Sequence, residues 1–270
     1  MNYFHDIGYD DIRGLCAKLR ILNANIDYHK SLGNVVYPRL KINGKDSWKD
    51  YFNGDFDYEI YDSCLELREI DPNARESHVN FLNNIQFNKT WLDKGDELYA
   101  KIGSPKIVFY LRETDKAREH PILPPIFYSE IIAKDGLIEP ILAMSDCEYS
   151  INYLQNRHDN IISLPHHRSI NFMPMHLLLK NKFNFNSKIS EKLLLEELIL
   201  EIILICKVKK VYYGTWAGIL TMTDYFLPDN SRPDLININQ FNNDKINEVI
   251  AYYKERESFL WSVILDYYYR

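Results

Sequence analysis

Ten glycines in 270 residues, scattered singly along the chain, set the first limit on what this sequence folds into. Average usage near 7% would supply about 19. Folds that cradle phosphate with bare backbone gather glycine where a strand turns into a helix. Neither G-x-G-x-x-G nor G-x-x-x-x-G-K-[ST] occurs anywhere in the chain. The elements must therefore be read from hydrophobic rhythm. With 46% hydrophobic and 26% charged residues, the composition excludes intrinsic disorder, collagen-like repeats and a coiled-coil rod.

Three- and four-residue spacing of Ile12, Leu15, Cys16, Leu19, Leu22 and Ile26 predicts a helix over 10–27. Between Phe56 and Ile70 the rhythm changes to two, as in half-buried strands. A short helix is expected at 74–85. The run from Lys106 to Arg112 reads as a buried strand after the turn signal Gly103-Ser104-Pro105. Prolines in 121–125 and 136–140 predict short, edge-like structure there. A polar loop is expected near 156–165.

Apolar residues surround nearly the whole circumference of 190–206, which predicts a buried central helix with a serine as N-cap. The segments 208–215 and 219–226 are expected to form a hairpin around Trp216-Ala217-Gly218. A long C-terminal helix is predicted at about 244–268 from Ile246, Val249, Ile250, Tyr253, Leu260, Val263, Ile264 and Tyr267. Without strict strand-helix alternation, the order favours an α+β fold with a mostly antiparallel sheet. A single domain over 1–270 is expected, any subdivision falling near 150–165, because no Ser- or Gly-rich linker interrupts the chain.

The four cysteines form no C-x-x-C pair and lie among apolar neighbours, as buried structural thiols do. The N-terminal residues lack a basic and then apolar leader pattern. Glutamates interrupt the longest apolar stretch, 193–206, so no membrane span is expected. These features predict a cytoplasmic protein, of the producing cell or of a host cell if delivered.

Charge is polarised along the sequence. Ten acids against three bases lie between Asp46 and Glu76, a local charge of −7 against −6 for the whole chain. On alternating strands such acids would present one carboxylate face, attractive to a basic partner. Asp55, Asp57, Glu59 and Asp62 are its centre. This reading predicts an intracellular protein-binding module: an inhibitor, immunity-type or adaptor protein for a basic protein partner. Nucleic acid is the unlikely partner, since the pI is about 5.8 where nucleic-acid-binding domains commonly exceed about 9.

The competing expectation is a hydrolase or transferase. Arg157-His158-Asp159 and His166-His167-Arg168 gather histidines suited to proton transfer. In that reading His158 and His166 form an acid-base pair, Asp159 orients an imidazole, and Arg168 grips a phosphate or carboxylate. The spacing forms no tight metal-ligand motif, and no motif calls for a cofactor. Lys41-Ile42-Asn43-Gly44 has the form K-x-[DN]-G and resembles the lysine motif of covalent nucleotidyltransferases such as polynucleotide ligases and capping enzymes. Lys207-Val208-Lys209-Lys210 resembles their downstream basic motif. That resemblance implies Lys41 as a nucleophile on an α-phosphate. The glutamate-glycine motif such families carry between the two is missing.

Overall fold

Ile107–Leu111 and Ile141–Ser145 are buried at every position, with no alternation of wet and dry residues. Strands of that kind need cover on both faces, which is the situation of a parallel sheet flanked by helices. The computed structural model describes residues 2–8, 15–42, 45–54, 65–66, 85–114, 122–169, 190–238, 251–252, 254 and 257. The chain forms two compact units: Met1–Glu97 with Gly218–Arg232, and Leu98–Ala217 with Pro233–Arg270. The stretch 150–165 lies inside the second unit.

The first unit has a four-stranded sheet in the order β3-β2-β1-β4. Strands β1 (Asn2–Gly8), β2 (Val35–Ile42) and β4 (Leu65–Glu66) run parallel; β3 (Lys45–Asp46) pairs antiparallel with β2. Helix α1 (Leu15–Ser31) crosses from β1 to β2 and buries Leu15, Cys16, Leu19 and Leu22, four of the residues whose spacing predicts it. Beyond β3 comes a single helical turn, α2 (Trp48–Tyr51). Trp48 stacks on Phe52 with centroids 4.4 Å apart, and Phe52 on Phe87 at 5.3 Å. The indole N–H of Trp91, near the start of α3 (Lys89–Lys101), donates to the Asp50 carbonyl at 2.8 Å. The last piece of this unit is α7 (Gly218–Phe226), whose Phe226 stacks on Phe87 at 4.5 Å.

The second unit is a five-stranded, all-parallel sheet in the order β7-β6-β5-β8-β9. Its strands are β5 (Ile107–Leu111), β6 (Ile141–Ser145), β7 (Ile161–Ser163), β8 (Lys210–Tyr213) and β9 (Asp234–Asn237). Helices α4 (Pro125–Asp135), α5 (Glu148–Gln155) and α6 (Glu191–Ile205) link the first four. Phe127, Tyr128 and Ile132 of α4, with Ile151 and Leu154 of α5, pack on Ile107, Phe109, Leu111, Ile141 and Ala143. The intervening Val108, Tyr110, Leu142 and Met144 are buried as well, so the opposite face is covered too. Right-handed crossovers account for this: winding reverses after β7, which carries α6 to the other face before β8. Ser190 caps α6, its Oγ accepting the Leu193 N–H at 3.1 Å.

The α/β architecture with parallel sheets corrects the expected α+β fold with a mostly antiparallel sheet. The expected hairpin is instead β8 followed by α7, so β8 pairs with β5 and β9, in parallel on both sides. Pro125 does not mark an edge: it occupies the first turn of α4, where its missing N–H has no intrahelical partner to lose. Of the alternating stretch 56–70 only Leu65–Glu66 is described, and it pairs parallel to β1. The helix expected at 74–85 lies outside the described residues, Ile85 excepted. Of the long C-terminal helix expected at about 244–268, only Ala251, Tyr252, Lys254 and Glu257 are described, each in helical conformation.

Candidate functional site

In a parallel α/β sheet the strand ends that point away from the incoming helices leave a crevice wherever the winding reverses. In the second unit that reversal lies between β5 and β8. The residues just past the carboxyl ends of β5, β6 and β8 are therefore the first place to look for chemistry, and they are densely polar.

Asp146, directly after β6, gathers the end of β5. Its Oδ1 accepts the Glu113 N–H at 2.8 Å. Its Oδ2 accepts the Thr114 N–H at 3.2 Å, the Thr114 hydroxyl at 2.6 Å and Arg112 Nη1 at 3.1 Å. Its side chain is 6% exposed, whereas that of Arg112 is 29% exposed. A buried carboxylate thus fixes a guanidinium that still reaches water. Glu113 is fully buried; Tyr252 donates its hydroxyl to Oε1 at 2.6 Å and the Ser145 hydroxyl reaches Oε2 at 3.4 Å. Burial, reinforced by the charge of Asp146, pushes the Glu113 carboxyl up to about 7. Burial also raises the Cys147 thiol, holding it in the protonated form.

On the β8 side, the Tyr128 hydroxyl donates to the Tyr110 carbonyl and accepts the Gly214 N–H, both at 2.7 Å. One phenol thus ties β5 and β8 together where the winding reverses.

The histidine-rich segment divides. His158 lies before β7, its Nε2 2.5 Å from Ser129 Oγ, and burial with the Arg157 charge lowers its pKa. Asp159 is exposed beside it. His166 and Arg168 lie beyond the other end of β7, so no pairing of His158 with His166 is formed. His166 Nδ1 meets Glu201 at 3.1 Å and His167 Nδ1 meets Glu197 at 2.6 Å, fastening the segment to α6. Arg168, 7% exposed, donates to the carbonyls of Leu164 and His166 and lies 3.4 Å from Glu148. It braces the turn after β7.

In the first unit, Lys41 and Arg39 both contact the Asp6 carboxylate, and Arg39 stacks 3.9 Å over the Phe4 ring. Burial raises Asp6, but the hydrogen bonds and charges of Arg39 and Lys41 outweigh it and hold the carboxyl below its ordinary range. The Lys41 of the nucleotidyltransferase-like motif is therefore an ion-pair partner on β2. Asn43 and Gly44 lie outside the described residues.

Sequence reasoning missed Arg112, Glu113, Thr114 and Asp146. The available signal was positional: all four come within three residues of the end of a largely apolar run, where a buried parallel strand ends. The acidic contacts expected at Asp55, Asp57, Glu59 and Asp62 lie outside the described residues. Among the described residues no cluster of His, Cys, Asp and Glu has the makings of a metal site. Among them no helix is long and apolar enough to cross a membrane.

The architecture is Rossmann-like α/β. By sequence the chain matches no protein-family model and no curated protein. By structure it resembles the α-1,6-fucosyltransferase NodZ. Against NodZ co-crystallized with GDP the TM-score is 0.52 at 10% identity, covering 84% of this chain and 93% of that one. Against NodZ soaked with GDP-fucose it is 0.52 at 11% identity, covering 86% and 97%. NodZ from Bradyrhizobium gives 0.52 at 8% identity, covering 83% and 92%. The likeness is one of fold. Glycosyltransferases as structural neighbours conflict with the expected inhibitor or immunity-type protein and give the adaptor reading no support.

Proposed function

We propose that this chain is a glycosyltransferase that draws its sugar from a nucleoside diphosphate donor, with the donor's diphosphate on Arg112. The carrying observation is the placement of that guanidinium. It stands past the carboxyl end of β5, beside the reversal of winding, and Asp146 holds it there while 29% of it stays exposed to water. The fold likeness to the fucosyltransferase NodZ, co-crystallized with GDP and soaked with GDP-fucose, supports the class of ligand.

The chemistry asks for such a group. In glycosyl transfer the bond from the sugar's anomeric carbon to the distal phosphate oxygen breaks. An acceptor hydroxyl oxygen bonds that carbon and gives up its proton. The nucleoside diphosphate departs carrying added negative charge, and a fixed cation stabilises that charge more in the transition state than in the ground state. Asp146 and the Thr114 hydroxyl act as positioning groups: they set the guanidinium in advance and need not touch substrate. Glu113, wholly buried, likewise shapes the loop. His158 and Asp159, at the opposite end of β7, have no part in this reading.

The test is binding and turnover. The protein should bind GDP in calorimetry and release nucleoside diphosphate from a sugar donor supplied with an acceptor glycan. Arg112→Ala should weaken GDP binding by about 10- to 150-fold, the range for a lost hydrogen bond to a charged group. A protein that binds no nucleoside diphosphate, or an Arg112→Ala variant that binds it as well as the native chain, overturns the proposal.

A further inference from the structure

Trp216 is a large apolar side chain left 44% exposed, in a loop where both neighbours are buried: Thr215 at 3% and Ala217 at 5%. A solvated indole on a loose loop would mean little. This loop is fixed. The Gly214 N–H is held by the Tyr128 hydroxyl, which is itself tied to β5. A side chain at Gly214 would meet Leu123 Cβ at 2.5 Å, so the backbone packs as closely there as glycine allows. Tyr213, buried at the end of β8, sets its ring against the indole edge-to-face, with centroids 5.3 Å apart and planes at 74°.

The position is also specific. Tyr110 and Tyr213 are register partners across β5 and β8. Arg112 comes two residues after the first and Trp216 three residues after the second. Adjacent strands lie about 4.8 Å apart, so the two residues follow neighbouring strand ends, one on each side of the reversal of winding. A cation and a rigid aromatic surface at neighbouring strand ends suit a ligand with a charged end and a flat ring.

We infer that Trp216 is the platform on which the base of the donor nucleotide stacks. The inference rests on the glycosyltransferase reading above and extends it from the diphosphate to the base. Stacking is tolerant of base identity, because every base has a π-face. Trp216 therefore supplies affinity for the nucleoside, and Arg112 affinity for the phosphates. Pre-fixing the loop lowers the entropic cost of binding.

The experiment separates the two ends of the ligand. Native protein, Trp216→Ala, Trp216→Phe and Arg112→Ala are each titrated calorimetrically with GDP and with inorganic pyrophosphate. Thermal midpoints verify that each variant is folded. Trp216→Ala should bind GDP about 5- to 150-fold more weakly, the span measured for loss of a stacked base. Its pyrophosphate affinity should be unchanged. Trp216→Phe should recover most of the GDP affinity, and Arg112→Ala should lose affinity for both probes. If Trp216→Ala binds GDP like the native protein while Arg112→Ala does not, the stacking role is overturned and the glycosyltransferase reading stands. Equal loss for GDP and pyrophosphate in Trp216→Ala makes the indole a structural prop and also overturns the inference. A native protein that binds no GDP overturns the enzyme reading, and the inference falls with it.

Discussion

Glu113 accepts hydrogen bonds from Tyr252 and Ser145, which favour its ionised form, but full burial and the charge of Asp146 outweigh them and favour the protonated form. Its folded pKa, about 7, stands above the ordinary 4.5. The folded state therefore holds more protons than the unfolded state between those values. Its contribution to stability is complete below about pH 4.5 and is lost as pH rises through 7. His5 slopes the other way. Burial, only partly opposed by the Asp6 charge, lowers it from 6.5 to about 4, so its contribution is complete above 6.5 and lost as pH falls through 4. Glu113→Gln keeps a neutral side chain of the same shape and removes the first slope alone. Urea unfolding at pH 4.5 and at pH 8 should show the variant gaining on the native chain as pH rises, by on the order of 3 kcal/mol. Parallel pH profiles for the two proteins would mean that Glu113 is ionised in the folded state. Neither Glu113 nor Asp146 was legible as a site in the sequence. Each is one acid among 38, and its meaning comes from the strand end on which it stands.

At the scale of elements, α1 and α6 were legible as helices and β5 and β8 as strands, whereas α7 read as a strand. The stripe on α1 and the Ser190 cap on α6 are local signals, and local signals survive folding. Strand pairing is not local. The continuous burial of Ile-Val-Phe-Tyr-Leu and Ile-Leu-Ala-Met-Ser is the mark of strands covered on both faces, and it points to a parallel sheet. The Trp216-Ala217-Gly218 turn drew attention to a hairpin, although a chain leaving a parallel strand for a helix uses similar residues. The Tyr128 hydroxyl shows how tightly two such strands are joined. Tyr128→Phe preserves ring packing and leaves the buried Gly214 N–H without its acceptor. It should cost about 1–3 kcal/mol in urea unfolding. It should also weaken GDP binding, because the loop that carries Trp216 loses its tie to β5. A variant as stable as the native chain would mean that water or a shifted carbonyl satisfies that N–H.

At the scale of the molecule, the scarcity of glycine does not weigh against the proposed phosphate ligand, for a physical reason. Glycine-rich loops are one way to receive a phosphate on a parallel α/β sheet; a fixed guanidinium is another, and it needs no bare backbone. The chain path was the least legible feature. It leaves the first unit after Glu97, returns at Gly218 and departs again after Arg232. The segment 218–232 thus gives the first unit α7, with Phe226 on Phe87 and Gly218 close against Cys16. Only then does the chain supply β9 to the edge of the second sheet, beside β8. Such threading couples the completion of each unit to residues made late in synthesis. A chain ending at residue 217 keeps eight of the nine strands named above yet lacks part of both units. It exposes the Phe87 ring in one unit and the backbone edge of β8 in the other, and an uncovered strand edge promotes aggregation. Expressed alone, residues 1–217 should be recovered mainly as aggregate, and any soluble fraction should lack the near-ultraviolet circular dichroism of the full chain. A soluble fragment with native-like aromatic signals would mean that each unit reaches its packing without the returning segment, and that the division of the chain plays no part in how it folds.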